Sequence, residues 1–364
     1  MHSNLLLVIV VLAALAFDFT NGFHDTANVV ASSISTHALS PRAAIGIASV
    51  LNFAGAFISL KVAATVATGI VQAGLITETV AFAGLIGAIA WNLITWAYGL
   101  PSSSSHALIG GLVGALLAAA GGAAVKGQAL LGKVVVPALV APVVAFVVAG
   151  VAIIAIYRVV GRRRPGTVNR GFRLGQIASG SLLSLAHGTN DAQKTMGVIS
   201  LALVAHGNFS ASHFHVPLWV VVAAATAISL GTYAGGWRII RTVGTRIIKM
   251  DSAQGFAAQG AGAVVILASS HFGYPLSSTH VISGGVIGAG AAKRLSAVRW
   301  GVAGNIVAAW VLTLPAAAAF GALAYGLARA FGTGVLGPLL ITVVALGVLF
   351  GTFAARRGRL AAAA

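Results

Sequence analysis

Two carboxylates in this sequence stand where carboxylates are costly. Asp25 lies in "FDFTNGFHDTANVV" and Asp191 in "SLAHGTNDAQKTMG", and apolar runs flank both stretches. An ionised side chain facing lipid costs at least ~2.5–3.5 kcal/mol, so such groups are kept for ion or proton handling. Asp18 precedes Asp25 by seven residues, which puts both on one helical face together with Asn21 and Asn28. His24, beside Asp25, is of the one residue type that titrates near neutral pH, and it is a candidate proton site. Lys194, three residues after Asp191, can pair with it or offer its charge to an anion.

A second kind of motif is rich in hydroxyls. "GLPSSSSHALIGG" begins at Gly99 and "GYPLSSTHVISGG" at Gly273. Proline removes a backbone donor and holds the residue before it extended. A helix restarts after it, with Ser103, Ser104 and Ser105 at the start in one motif and Ser277, Ser278 and Thr279 in the other. Free N–H groups, hydroxyls and the positive end of the helix dipole make an anion site there. Such donors suit a tetrahedral oxyanion. The carboxylates suit a coupling cation, or a phosphate that keeps a proton, because fully ionised sulfate has no hydrogen to donate to them. His106 and His280 are read as braces of these hairpins, and the glycines that follow as helix-packing positions.

Both motifs occur twice, in the same order. Asp25 matches Asp191 at an offset of 166, and Ser103, Ser104 and Ser105 match Ser277, Ser278 and Thr279 at an offset of 174. Internal duplication in an apolar helical chain points to a secondary transporter. The elements that must position these groups are therefore membrane helices. Of 364 residues, 58% are hydrophobic and 7% charged, against about 25% charged in soluble domains. Long apolar runs recur, and the ~10-residue alternating strands of a barrel do not. The reading is an all-α integral membrane protein with about ten to twelve membrane segments, re-entrant ones included. The first repeat is assigned to 1–157, with a broken helix at 18–28 and a re-entrant hairpin at 99–120. A basic cytoplasmic loop follows at 158–173. The second repeat, 174–364, carries a broken helix at 187–194, an amphipathic helix at 237–250 and a hairpin at 273–290.

The formal net charge is +17, and the basic residues cluster at 158–173, 238–249, 293–299 and 356–359. Short basic loops of this kind mark the cytoplasmic side. Nucleic-acid binding would need a soluble basic domain, and none is visible. No cysteine is present, which excludes disulfides and thiolate metal sites. The chain has no G-x-S-x-G elbow, and its Ser–His pairs are adjacent and duplicated, so it does not read as an enzyme. It also lacks a P-loop, so ATP is not the direct energy source. No cofactor is expected beyond a coupling cation, H+ or Na+. No metal site is assigned, and His206, His213 and His215 read as loop histidines.

These motifs resemble those of the inorganic phosphate transporter family, the sodium- or proton-coupled phosphate permeases. The similarity runs from "NGFHDTAN" through "WNLITWAYGLPSSSSHALIGG" and "HGTNDAQK" to "GNIVAAWVLTLPAAA". It implies two inverted repeats with broken helices and re-entrant hairpins, and phosphate held near the midplane between them. Residue by residue it implies phosphate contacts from Asp25, Asn28, Ser103, Ser104, Asn190, Asp191, Ser278 and Thr279. The motif reading adds Ser105 and Ser277. Asp18, Asn21, His24, Asp25 and Asp191 are the coupling-ion candidates. Sodium-coupled members typically have Asn where His24 stands. The form "GFHDTAN" resembles the bacterial low-affinity branch, associated with proton coupling and metal-phosphate transport. The expectation is a symporter importing phosphate across a bacterial cytoplasmic membrane, driven by protons or sodium. Its partners would be lipid, a second copy in a homodimer, and a divalent metal complexed to phosphate. A sulfate or other oxyanion permease on the same scaffold is the alternative.

Overall fold

Apolar stretches free of interior charge close their backbone hydrogen bonds within helices, as a bilayer requires. The computed structural model describes residues 4–348, and the basic residues Arg356, Arg357 and Arg359 lie outside them. The helices begin with α1 (Asn4–Ser35), α2 (Pro41–Gly55), α3 (Lys61–Ala64, extended by a π turn to Gly69), α4 (Glu78–Tyr98) and α5 (Ser104–Ala120). Next come α6 (Gly127–Leu130), which runs through a π turn into α7 (Val136–Val160), then α8 (Pro165–His206) and α9 (Leu218–Ala234). The chain continues with α10 (Trp237–Arg241, extended by a π turn to Arg246), α11 (Ser252–His271), α12 (Ser278–Lys293), α13 (Trp300–Ala330) and α14 (Leu336–Val348). Among the described residues α1, α4, the α6–α7 rod and α13 are long and apolar enough to cross a membrane. Helices α9 and α10, bent by 59° where they meet, would make a fifth span. The 17-residue α5 is about 25 Å long at 1.5 Å per residue, short of the hydrocarbon thickness.

The expected hairpin turns are present. Each of α4 and α11 ends at a glycine in the left-handed region, Gly99 at φ +66° and Gly273 at φ +76°. The turn is then pinned by Leu100 N–H on Thr95 O and by Tyr274 N–H on Ser269 O, both at 2.9 Å.

The two repeats interlock. Helix α5 packs on α13, and its counterpart α12 packs on α7. Helix α1 packs on α9, just as α8 packs on α2. Such an exchange, element i on j and j on i, is the mark of a twofold relation. The loops obey it as well: Lys126 N–H donates to Ile70 O at 3.1 Å, and Arg299 N–H to Ile247 O at 3.0 Å.

The structure redraws several expected boundaries. The breaks at 18–28 and 187–194 do not occur, because α1 is continuous over 32 residues and α8 over 42. A Cβ on Gly22 would strike the backbone of Ile228 and Thr232, and one on Gly188 the backbone of Asn52. These glycines bring helix backbones together rather than interrupting the helices. The bend falls instead between α9 and α10. The basic stretch 158–173 is mostly helical, with only a turn at 161–164 between α7 and α8. The 237–250 segment is helical to Arg246, and Ile239, Ile240 and Val243 are buried where it packs on α1.

Candidate functional site

The hydroxyl motifs start α5 and α12. Ser103 Oγ accepts from His106 N–H at 3.1 Å, and Ser277 Oγ accepts from His280 N–H at 3.3 Å. These are N-caps, so the two hydroxyls serve their helices, while the next residues turn toward α1. Ser104 Oγ donates to Asp25 Oδ1 at 3.3 Å, Thr279 Oγ1 to the same oxygen at 3.4 Å, and Ser278 Oγ to Oδ2 at 3.2 Å. Ser278 Oγ also lies 3.2 Å from Asp191 Oδ2, so one hydroxyl links the carboxylates of the two repeats. Its single hydrogen can serve only one of them at a time. Asn28 Nδ2 donates to Thr279 Oγ1 at 2.9 Å. Asp25, Asp191, Ser104, Ser278 and Thr279 are each at most 1% exposed, so the cluster is closed to both sides.

The surroundings of the two carboxylates differ. His24 Nδ1 is 2.8 Å from Asp25 Oδ1, and His24 Nε2 faces the hydroxyls of Thr95 at 3.2 Å and Ser102 at 3.3 Å. Ser102 Oγ donates to Thr95 Oγ1 at 2.8 Å, and Thr95 Oγ1 donates to Trp91 O at 2.9 Å. Both ring nitrogens therefore face oxygens whose hydrogens are used elsewhere. Asp191 pairs with Lys194, and His187 Nε2 lies 3.0 Å from its Oδ2. Asn190 Nδ2 donates to Ser270 Oγ at 2.9 Å and Tyr274 O at 3.2 Å, bracing the second hairpin turn as His24 braces the first. Ser105 Oγ donates to Leu276 O at 3.0 Å and accepts from Lys194.

Asp18 and Asn21 sit on the same helix, apart from the hydroxyls. Asp18 is fully buried, and neither of its oxygens receives a well-formed hydrogen bond; Asn21 Oδ1 and Thr195 Oγ1 are also without partners. Asn21 and Thr195 are its polar neighbours, with Asp191 and Lys194 also acting on it electrostatically. Asp25, His187 and Asp191 can each aim one ligand atom at a common point, the three atoms lying within 4.8 Å of one another. His106 and His280 meet edge to face at 4.7 Å, so α5 and α12 touch through them, and His280 stacks on Trp310 at 4.1 Å.

On the side marked by basic residues a polar layer closes the path. Thr36 Oγ1 donates to Gln176 Oε1 at 2.7 Å, and Gln259 Nε2 donates to Ser33 Oγ at 2.9 Å and Val29 O at 3.1 Å. Beyond it lies a cleft of about 380 Å³ lined in part by His37, Asn169, Arg173 and Lys249.

Every site residue expected from sequence falls in or beside this cluster, with Ser103 and Ser277 acting as caps. Sequence reasoning passed over His187, although its four-residue spacing to Asp191 signals a contact on one helix face. It also passed over Thr95, Ser102 and Thr195, ordinary hydroxyl residues whose importance appears only when the helices are assembled. His206, expected in a loop, ends α8 and binds Glu78 Oε1 at 2.7 Å and Asn4 Oδ1 at 3.1 Å.

A duplicated site of this kind, on interlocked repeats of membrane helices, defines a transporter rather than an enzyme. The family model described as "Phosphate transporter family" matches residues 21–167 and again 161–321, once per repeat, and the chain belongs to that family. It is 52% identical over 94% of its length to the probable low-affinity inorganic phosphate transporter of Mycobacterium tuberculosis (strain ATCC 25618 / H37Rv), covering 83% of that protein. It is 45% identical over 88% of its length to the protein of the same description from Bacillus subtilis (strain 168), covering 96% of it. Among solved structures, one titled "The sodium-dependent phosphate transporter" superposes with a TM-score of 0.81 at 26% identity, covering 89% of this chain and 99% of that one.

Proposed function

We propose that the protein is a symporter that imports inorganic phosphate across the cytoplasmic membrane of a bacterium. The observation that carries this reading is the pair of repeat-related carboxylates, Asp25 and Asp191, joined by the hairpin hydroxyl of Ser278. Ser104, Ser278, Thr279 and the Asn28 amide supply hydrogen-bond donors to phosphate oxygens. The carboxylates accept from the proton that hydrogen phosphate retains. Helix starts at Ser103 and Ser277 add the positive ends of two dipoles. Asp25, His187 and Asp191 form a ligand set of carboxylate and imidazole groups that would hold the metal of a metal–phosphate complex as cargo.

Coupling is assigned to α1. His24 carries a proton between Asp25 and the Ser102–Thr95 hydroxyls, or a sodium ion uses the unpartnered oxygens of Asp18, Asn21 and Thr195. Phosphate binding then favours rocking of one helix bundle against the other, which opens the Gln176–Gln259 layer toward the basic cleft. The apolar outer faces of α7 and α13, with Leu139, Val143 and Val311 exposed, meet lipid or a second copy in a homodimer. The test is uptake of labelled phosphate into proteoliposomes under an imposed proton or sodium gradient, with sulfate as competitor. Phosphate accumulation that sulfate does not inhibit is the expected result. Accumulation of sulfate in its place would reject the reading. A protonophore that abolishes uptake without any sodium requirement supports proton coupling at His24–Asp25, and the reverse result rejects it.

A further inference from the structure

Asn28 and Lys194 hold equivalent places in the two repeats, three residues beyond Asp25 and Asp191. Their side-chain nitrogens are equivalent in space as well. Asn28 Nδ2 donates to Thr279 Oγ1, and Lys194 Nζ donates to Ser105 Oγ, the counterpart of Thr279. The difference between them is a full positive charge.

Lys194 is 1% exposed. An ammonium has three hydrogens to donate. Those of Lys194 face Asp191 Oδ1, Ser105 Oγ and Leu276 O, the last at 2.8 Å. All three are used, so none remains to clamp an anion. The other ionisable groups at this corner are Asp18 and Asp25 from α1, His106 from α5 and His187 from α8 itself. A buried carboxylate without a counter-charge is strongly unfavourable. Asp191 has its counter-charge built into the chain. Asp25 is bonded by His24 and hydroxyls, with His187 and Asp191 within 4.8 Å and no lysine or arginine bonded to it among the described residues, so its counter-charge must come from a mobile cation.

We propose that the Lys194 ammonium is a tethered cation, standing where the second repeat would otherwise take one from solution. The cycle then moves one coupling cation fewer with each phosphate, and the exchangeable cation belongs to the Asp25 side. This rests on the coupled phosphate transport proposed above.

The experiment measures coupling ratio, not rate. Purified protein in proteoliposomes is held under a series of imposed gradients of the driving cation, and the opposing phosphate gradient at zero net flux is found for each. Lys194→Gln should need one more cation per phosphate than the wild type. Under a tenfold cation gradient it should support a phosphate gradient about tenfold steeper. Lys194→Arg keeps the charge and should keep the wild-type ratio. A Lys194→Gln protein with an unchanged ratio overturns the proposal. Where its flux is too slow to time, equilibrium binding of radiolabelled sodium, or proton uptake on addition of phosphate, gives the count. One more cation per protein than wild type supports the proposal, and an equal number overturns it. In Asp191→Asn/Lys194→Gln the count should return to the wild-type value; a count that stays raised also overturns it. Wild-type vesicles that take up no phosphate under either gradient would instead refute the transport reading.

Discussion

Replacing Asp25 by asparagine keeps the side-chain shape and removes the charge. In the wild type this carboxylate receives His24 Nδ1 at 2.8 Å, Ser278 Oγ at 3.2 Å, Ser104 Oγ at 3.3 Å and Thr279 Oγ1 at 3.4 Å. An amide presents one oxygen and one NH2 group, and the NH2 group would face hydroxyls that are now donors. Hydrogen bonds to charged groups contribute ~1.5–3 kcal/mol each. Weakening the two shortest by the lower figure gives about 3 kcal/mol, and each 1.4 kcal/mol is tenfold, so coupled phosphate uptake should fall by about a hundredfold. The hydroxyls can rotate to new acceptors, so the folded protein should persist as a monodisperse species in detergent. The assay pairs labelled phosphate uptake in proteoliposomes with thermal unfolding of the same preparation. A folded Asp25→Asn protein that accumulates phosphate within about threefold of the wild type would refute the assignment of Asp25 to the coupled site.

Three further outcomes follow from the packing. Gly22→Ala drives a methyl into the backbone of α9 and should destabilise the protein by ~1–3 kcal/mol, whereas Gly46→Ala, with open space around it, should be neutral; thermal unfolding of the two separates them. Ser103→Ala removes a helix cap and should cost ~1 kcal/mol of stability with little change in phosphate KM, while Ser278→Ala should raise KM, as measured by uptake against phosphate concentration. Asp251 caps α11, and although burial pushes its carboxyl up, Gln254 N–H, the Tyr157 hydroxyl and Lys293 outweigh that and hold it below the usual value. A folded-state value below the unfolded one gives stability that is complete above the unfolded carboxylate range, near pH ~4, and lost as pH falls through the folded value. Asp251→Asn should therefore be less stable than wild type at neutral pH, with the gap in melting temperature closing under strong acid.

The turn-and-restart of α5 and α12 was legible because local chemistry alone decides it. A glycine in the left-handed region, a proline and a serine cap form the same turn wherever they occur. The pairing of Asp25 with Asp191 was legible because the sequence repeats. The continuity of α1 and α8 was not. Gly22 and Gly188 read locally as weak points in a helix, and only the backbone lying against each explains the glycine. The sequence leaves Lys194 open between two roles for a similar reason: its spacing from Asp191 is visible, but Leu276 O and Ser105, which use up its remaining hydrogens, come from other parts of the chain. The bilayer accounts for the rest. Sequence shows which stretches are apolar, but not that α5 is covered by protein as far as Leu116 and α12 as far as Ala291.

The exchange of partners between the halves also shapes how the protein is made. Helix α1 leaves the ribosome long before α9, the helix its glycine face is cut to fit. At ordinary elongation rates of ~5–20 residues per second, that wait is roughly 10–40 s. Throughout it, a helix carrying Asp18 and Asp25 must be sheltered by the insertion machinery, because α2, α4 and α5 of its own half supply only part of the cover. Neither half is a folding unit. Two polypeptides divided at the 161–164 turn should each be degraded when made alone and should assemble into a working transporter when made together in the same cell.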